Sequence, residues 1–436
     1  VAGLGKLKVA GKASRGVFGI SIMDSRRNFL GKVASGLAGT LAAGPARVLG
    51  ANERIRVGVI GAGDRGMELV NQVHACSDAK VGAFADLYAK RLDKARAVVP
   101  GAAVAGDYRA LLDDPTLDAV IIATPTHLRA QPFIDALESG KHVYIEKTLA
   151  LTVADAKRMR RAYRKDNGKH VVQVGHQACS SGHIADVKQF VADPERMGRI
   201  ASIHMRNYRN TPKGKAQWAR PALFNEVRAN ELSSSNFSWA AFSGQDHVSQ
   251  SGEAEFDANR FVHWRYFWDY SGGPVTENMS QQLAFWYKTL ALKIPERATM
   301  SGGVYVWDDG RETPDTVDVA LHQPEHMLIH WASGFGNNQM GVGEEALGTA
   351  GTISRASQIR YIPQKMHRPD GNEMAGRATS LPHSHMQNFL DSIRLSREPN
   401  APFELGFRVA IACRMAVESY LQKRTVHWDA AAEEIV

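Results

Sequence analysis

Cysteine is scarce. Cys76, Cys179 and Cys413 are the only three in 436 residues, and they lie far apart. So few and so scattered, they exclude a disulfide framework or a zinc cluster, and each reads as a small buried apolar residue; no metal site is expected. Long apolar runs are missing as well. The stretch from Val33 to Gly44 is short and rich in Gly and Ala, which excludes a stable membrane span. Basic charge looks plentiful at a formal +8, but it is unevenly placed. Residues 1–51 hold eight Lys and Arg against the single acid Asp24, a net +7 that leaves +1 for the rest. A body this close to neutral gives no support for nucleic-acid binding. Internal repeats and low-complexity tracts are absent too.

The N-terminal charge belongs to a leader. Ser25-Arg26-Arg27-Asn28-Phe29-Leu30-Gly31-Lys32 precedes the small-residue stretch. Paired arginines, Phe-Leu and a modestly hydrophobic segment read as a twin-arginine export signal, processed within 43–51. An ordinary amphipathic helix is the plainer alternative. Met23 stands just ahead of the arginines, where a native start would fall, which makes 1–22 an upstream extension. The expected organisation is a leader over 1–51, a nucleotide-binding domain over 52–175 and an α+β domain over 176–436. The expected location is periplasmic or otherwise exported.

From Arg54 short β-branched runs alternate with helical segments. Strands are predicted over 55–60, 80–85, 119–123, 142–145 and 171–174, with helices over 65–76, 88–98, 127–139 and 153–166. That alternation implies βαβ units and a doubly wound parallel sheet. Beyond Gly175 the rhythm changes. A helix over 184–192 precedes longer strands over 200–208, 261–270 and 327–331, and 225–259 reads as a long loop. The second half is therefore α+β with a mostly antiparallel open sheet. Helices over 385–395 and 407–422 are candidates to pack back on the first domain. In the strand predicted over 261–270, Trp264, Tyr266, Trp268 and Tyr270 share one face, with His263, Arg265 and Asp269 opposite. Such faces suit sugar rings, or core and oligomer packing.

The first strand runs directly into Gly61-Ala62-Gly63-Asp64-Arg65-Gly66 and then a helix. The first glycine permits the tight turn, the second admits a pyrophosphate to the backbone, and the third lets helix pack on strand. Asp86 follows Gly66 by 20 residues, at the end of the next strand, where an acid can hold both ribose hydroxyls and repel a 2′-phosphate. This favours NAD over NADP, although Arg91 lies near enough to admit NADP. A non-binding glycine turn with Asp86 as a helix cap is the plainer reading. Thr124-Pro125-Thr126-His127 closes the strand over 119–123 at the sheet edge where cofactors bind, with Thr126 also a candidate N-cap and His127 a solvated first-turn residue.

The ordered set of the glycine fingerprint, Asp86, Ala-Thr-Pro-Thr-His, Gly140-Lys141-His142-Val143, Glu146-Lys147 and Val174-Gly175-His176-Gln177 resembles the Gfo/Idh/MocA family. The likeness also reaches His385-x-x-Asn388-Phe389-x-Asp391-x-Ile393 and Trp428-Asp429. The resemblance implies a Rossmann domain, an α/β domain whose open sheet mediates oligomers (a dimer or tetramer), and a sugar or polyol substrate. It also makes Lys147 the lysine that orients a sugar hydroxyl near the nicotinamide, with Glu146 and Gln177 beside the cofactor. A lysine merely paired with Glu146 is the plainer alternative. Three positions depart from the family pattern. Thr148 replaces the usual proline, which puts the lysine's placement in doubt because a cis bond there costs about 2.5–4 kcal/mol. Glu277 and Gln281 replace the aspartate and histidine of the second constellation, Gly272 to Gln281. Their i, i+4 spacing puts both on one helix face. Glutamine cannot take up a proton, so His176, Glu277, His263 and Tyr287 become substitutes, His176 ranking first among the histidines.

The function expected is NAD(P)-dependent oxidation of a sugar or polyol hydroxyl. An exported NAD protein must hold its cofactor and restore its redox state within each cycle. Coupled oxidation and reduction of two sugars does this. So does transient oxidation with elimination and re-reduction, as in NAD-dependent glycosidases or lyases related to the family. A non-catalytic sugar- or nucleotide-binding paralogue is the reading from another class, favoured by Thr148 and Gln281.

Overall fold

A computed structural model of the chain describes residues 54–210, 229–244, 256–378 and 385–436. The predicted leader, and much of the loop predicted over 225–259, lie outside the described residues. The run Ile55–Ile60 (β1) is buried along nearly its whole length, as a central strand covered on both faces must be. It joins β2 (Ala79–Ala85), β3 (Ala103–Ala105), β4 (Ala119–Ile122), β5 (His142–Ile145) and β6 (Val172–Val174). Together they form a six-stranded parallel sheet, ordered β3-β2-β1-β4-β5-β6. Alternate residues of β4 enter different apolar cores: Ala119 and Ile121 meet Met67, Val70 and Phe389, whereas Val120 and Ile122 meet Phe133 and Met159. Strand order reverses between β1 and β4, and their carboxyl ends open the crevice in which dinucleotides bind.

The helices between these strands follow local signals. Helix Val153–Asp166 starts where Thr152 Oγ1 accepts from the Asp155 amide, and ends at Asn167 in left-handed backbone (φ 54°). The segment predicted as one helix over 127–139 begins instead as a 3-10 turn, Thr126–Leu128, before the α-helix Ala130–Glu138. Thr126 makes no side-chain cap bond there.

Second-sheet strands are β7 (Ile200–Tyr208), β8 (Arg297–Gly303), β9 (Thr316–Gln323), β10 (Met327–Gly334), β11 (Val342–Gly348), β12 (Gly351–Arg355), β13 (Ile359–Pro363), β14 (Met374–Ala375), β15 (Val426–Asp429) and β16 (Glu434–Ile435). They are ordered β14-β13-β12-β11-β7-β10-β9-β8-β15-β16, and only β7 and β10 pair in parallel. Helix Phe403–Gln422, buried along most of its length, packs on β8, on helix Ser280–Leu290 and on helix Val153–Asp166 of the first half. The C-terminal return also reaches β6. The Val174 amide donates to Ala401 O at 2.9 Å, and Gln173 Nε2 donates to His385 O at 2.7 Å.

The strand expected over 261–270 does not form. Asp257 caps a short helix, Ala258–Val262, by accepting from the amides of Asn259 and Arg260, and a 3-10 turn, Trp264–Tyr266, follows. The Arg260 guanidinium lies over the rings of both Phe267 and Tyr270. The aromatic alternation therefore belongs to a folded turn cluster and presents no common face. The described part of 225–259 is likewise structured. Phe237 and Phe242, the latter in helix Trp239–Ser243, are buried with Phe261, Tyr270 and Tyr88.

Candidate active site: a dinucleotide groove ending at a buried lysine

A cavity of about 1770 Å³ follows the carboxyl edge of the first sheet from Asp86 to Gln281. Its glycine turn is built for close approach. Gly61 has φ +96°, and a Cβ there would lie 2.9 Å from the Ala123 carbonyl carbon. At Gly66 a Cβ would lie 1.9 Å from Gly61 O, so no other residue lets the helix start so near the turn. Asp86 is buried at the end of β2. Its Oδ2 accepts from the Ala62 amide at 2.8 Å and its Oδ1 from the Tyr88 amide at 2.9 Å, with Arg91 Nη1 at 3.8 Å. The acid that faces the ribose position thus also pins the glycine turn. Thr124 lines the cavity with Pro125, and its buried Oγ1 makes no hydrogen bond. A bare glycine cradle, a rim carboxylate and an unsatisfied hydroxyl fit a dinucleotide.

Arg65 links this end to the next. It leaves the glycine turn, donates through Nε to Glu146 Oε1 at 2.8 Å and pairs with Glu68 at 2.9 Å. Glu146 also accepts from the Lys147 amide at 3.2 Å. Gly175 is close to Glu146, since a Cβ there would meet Glu146 Oε1 at 2.6 Å. The Lys147–Thr148 peptide is cis even though Thr148 replaces proline. Lys147 Nζ faces the cavity end, donating to Glu277 O at 2.9 Å, with Glu277 Oε2 at 3.4 Å. Thr148 Oγ1 donates to Thr276 O at 2.8 Å, which fastens the β5 end to the second constellation.

That constellation is not an ordinary helix. Val275–Met279 forms a π-helical turn leading into helix Ser280–Leu290. Glu277 and Gln281 both line the cavity. Burial disfavours the Glu277 carboxylate, but Lys147, Arg265 and Arg129 outweigh it and hold its pKa at about 2. For Lys147 burial is the larger influence and lowers the ammonium from its ordinary range, against the pull of Glu277 and Glu146. Gln281 Nε2 donates weakly to Gly175 O at 3.4 Å, and its Oε1 is buried without a partner.

The structure separates the expected proton carriers. His176 is fully buried behind Gln281 and does not line the cavity, and neither ring nitrogen makes a hydrogen bond. Burial, Lys147 and His385 push its imidazole down to about 3, so it is neutral at any physiological pH. Tyr287 lies in the core, its hydroxyl accepting from Gln323 Nε2 at 2.9 Å, outside the cavity. His263 is at the cavity wall, stacked on Tyr266 at 5.2 Å. His127 is buried rather than solvated, its Nε2 2.7 Å from Phe242 O. Ala62 is buried beneath the turn, while Asp64, Arg65 and Gln177 line the cavity.

Two features escaped sequence reading. Arg129, just past the Thr-Pro-Thr-His turn, is buried with Nε on Thr124 O at 3.0 Å and Nη1 on Thr148 O at 2.5 Å. The other is a strap over the groove. The Ala89 amide donates to Asn236 O and the Ser238 amide to Leu87 O, beside Asp86, while Phe242 O meets His127 on the opposite rim.

Comparison with known proteins agrees with this geometry. Residues 55–176 match the GFO_IDH_MocA model, described as an oxidoreductase family with an NAD-binding Rossmann fold. The 1-carboxy-3-chloro-3,4-dihydroxycyclo hexa-1,5-diene dehydrogenase of Comamonas testosteroni is 34% identical over 154 residues, covering 35% of this chain and 38% of that protein. Glycosyl hydrolase family 109 protein 1 of Shewanella sp. (strain ANA-3) is 37% identical over 112 residues, 24% of each chain. These alignments span well under half of either relative's length. A levoglucosan dehydrogenase solved with NADH and levoglucosan shares the fold, with a TM-score of 0.64 and 17% identity over 86% of this chain and 99% of that one. Turn, acid, strand order and family match converge on residues 55–176, which form an NAD-binding Rossmann domain of the Gfo/Idh/MocA oxidoreductase family.

Proposed function

We propose that the protein is an NAD-dependent oxidoreductase acting on a ring hydroxyl of a sugar or polyol, with NAD retained and recycled within the catalytic cycle. The observation that carries this reading is Lys147 Nζ, buried at the carboxyl end of β5, inside the cavity and braced by Glu277. Bound NAD would accept the hydride released from the carbinol carbon. The hydroxyl proton goes to Lys147 Nζ in the fraction of molecules whose amine is neutral, a form that burial favours and Glu277 opposes. Glu277, ionised throughout, then stabilises the ammonium. Gln281 positions a hydroxyl by hydrogen bonding and carries no proton.

Retention is supported by the strap, whose bonds to Leu87, Ala89 and His127 tie it to both rims of the groove. It suits a protein exported through the twin-arginine route with its cofactor already loaded. The relative named as a glycosyl hydrolase and the proton-inert Gln281 favour a second version: transient oxidation followed by elimination and re-reduction, with NAD unchanged overall.

The test is direct. Protein purified through gel filtration should carry stoichiometric NAD, released only on denaturation, and a sugar or polyol should produce the absorbance of reduced nicotinamide. A persistent signal marks net oxidation, and a transient one with a released aglycone marks the glycosidase version. Phe242→Ala should lose the cofactor during filtration. Wild-type protein that emerges without NAD and fails to bind it would sink the proposal.

A further inference from the structure

The first sheet stops short of the buried lysine. β4 ends at Ile122 and β5 at Ile145, so the carbonyls of Thr124 and Thr148 lie past the last rungs of the ladder and need donors from elsewhere. Arg129 supplies both. Its Nε donates to Thr124 O at 3.0 Å and its Nη1 to Thr148 O at 2.5 Å, and the residue is 5% exposed. Thr124 lines the nucleotide groove, and Thr148 directly follows Lys147. One planar guanidinium therefore spans the ends of two neighbouring strands.

Thr148 leads back to the lysine. Its Oγ1 donates to Thr276 O at 2.8 Å, and the next residue, Glu277, receives Lys147 Nζ on its own carbonyl at 2.9 Å. The Lys147 amide is fixed separately on Glu146 Oε2 at 3.2 Å. The charge of Arg129 is met by Glu146 and Glu277, and burial brings its pKa down only to about 10, so it stays charged at neutral pH. Its hydrogen bonds nonetheless go to backbone. An arginine serving only as a counter-ion turns its fork on a carboxylate, whereas a fork divided between two carbonyls fixes the chain that carries them.

We propose that Arg129 is a positioning residue for Lys147, joining the ends of β4 and β5 so that the lysine amine is seated against Glu277 in the cavity. The inference takes the role of Lys147 from the oxidoreductase reading, but the seating itself rests on the two bonds of the fork. Lysine in place of Arg129 would keep the charge, yet one ammonium does not reproduce the planar fork.

The experiment follows the Lys147 amine by NMR in protein isotope-labelled at the lysine ε-carbons, with saturating NAD and no sugar. Its signal is assigned by its absence from Lys147→Met. The charged and titratable neighbours of the amine are Glu277 and Arg265 from the second half, Glu146 from β5, Arg129 and His176 after β4 and β6, and Cys413 from helix Phe403–Gln422. Burial, with the push of Arg129 and Arg265, outweighs the pull of Glu277 and Glu146 and lowers the wild-type amine from its ordinary 10.5. Release from the seat moves it back up, and so does loss of the Arg129 charge. Arg129→Gln removes fork and charge together and should titrate at higher pH than wild type. Arg129→Lys removes only the fork and should also titrate higher, by less. If Arg129→Gln does not fold, Arg129→Lys decides alone.

An Arg129→Lys protein that titrates with wild type would assign Arg129 to charge alone and overturn the proposal. Unmoved titration in both variants, or a wild-type amine already at its ordinary value, overturns it too. No sugar enters the measurement, so a protein that oxidises none would lose the oxidoreductase reading and keep this result. Hydride transfer from a sugar beside an unmoved Lys147 titration would do the reverse.

Discussion

Replacing Glu277 by glutamine removes a carboxylate shared by Lys147 and Arg265 while keeping its shape. Burial alone would raise its pKa, but Lys147, Arg265 and Arg129 reverse that and hold it at about 2, against an ordinary 4.5. The folded value lies below the unfolded one. The ionised group therefore stabilises the fold fully above about pH 4.5, and the contribution fades as pH falls toward 2. At about 1.4 kcal/mol per unit, the shift corresponds to roughly 3 kcal/mol. That agrees with the roughly 3–5 kcal/mol lost when one partner of a buried pair is removed. Glu277→Gln should thus unfold in urea with a free energy lower by about 3 kcal/mol at neutral pH, and the gap from wild type should close on acidification. Paired titrations near neutrality and near pH ~3 measure both quantities. A gap absent at neutrality, or equal at both values, would refute the account of Glu277 as an ion held by its neighbours.

Gly66→Ala must widen a 1.9 Å approach to Gly61 O, a backbone atom with no freedom to yield. An overpacking cost of about 1–3 kcal/mol at the turn predicts roughly 5- to 150-fold weaker NAD binding by calorimetry, and an unchanged Kd contradicts the cradle. Lys147→Met should slow hydride transfer by about 10²- to 10⁴-fold while NAD affinity holds; equal activity would assign the proton elsewhere. Tyr287→Phe loses only the bond from Gln323, so stability should fall by about 1 kcal/mol with hydride transfer unaffected. A matching loss of activity would return Tyr287 to the site.

Residues 55–176 were legible because local rules and tertiary position agree there. Ile55–Ile60, Gly61 and Gly66 each have a backbone reason for their identity, and the structure uses them for it, while Asp86 stands at the strand end where the spacing puts it. The helix over 153–166 and the strand over 200–208 were read to the residue. The aromatic run over 261–270 misled because its alternation obeys the period of a strand, while the Asp257 cap and the contacts of Arg260 with Phe267 and Tyr270 fold it into turns. Spacing could place Glu277 and Gln281 together but could not see the π-helical turn between them. Nor could it bury His176, Tyr287 or Arg129, whose surroundings include His385, Cys413 and Glu277 respectively, each more than a hundred residues away in sequence. Arg129 carried one faint signal, an arginine immediately after a turn at the nucleotide edge.

The tie between β6 and the C-terminal return has a bearing on how the polypeptide matures. Val174 and Gln173, at the margin of the nucleotide-binding half, find their partners in Ala401 and His385, and Arg394 reaches Asp78 at 3.1 Å. On the ribosome, β6 can pair with β5 as soon as both are made, but its outer edge is covered only when the half synthesised last arrives. A protease cut or stop codon near residue 380 would leave the glycine turn and Asp86 intact in sequence, yet strip the wall behind them.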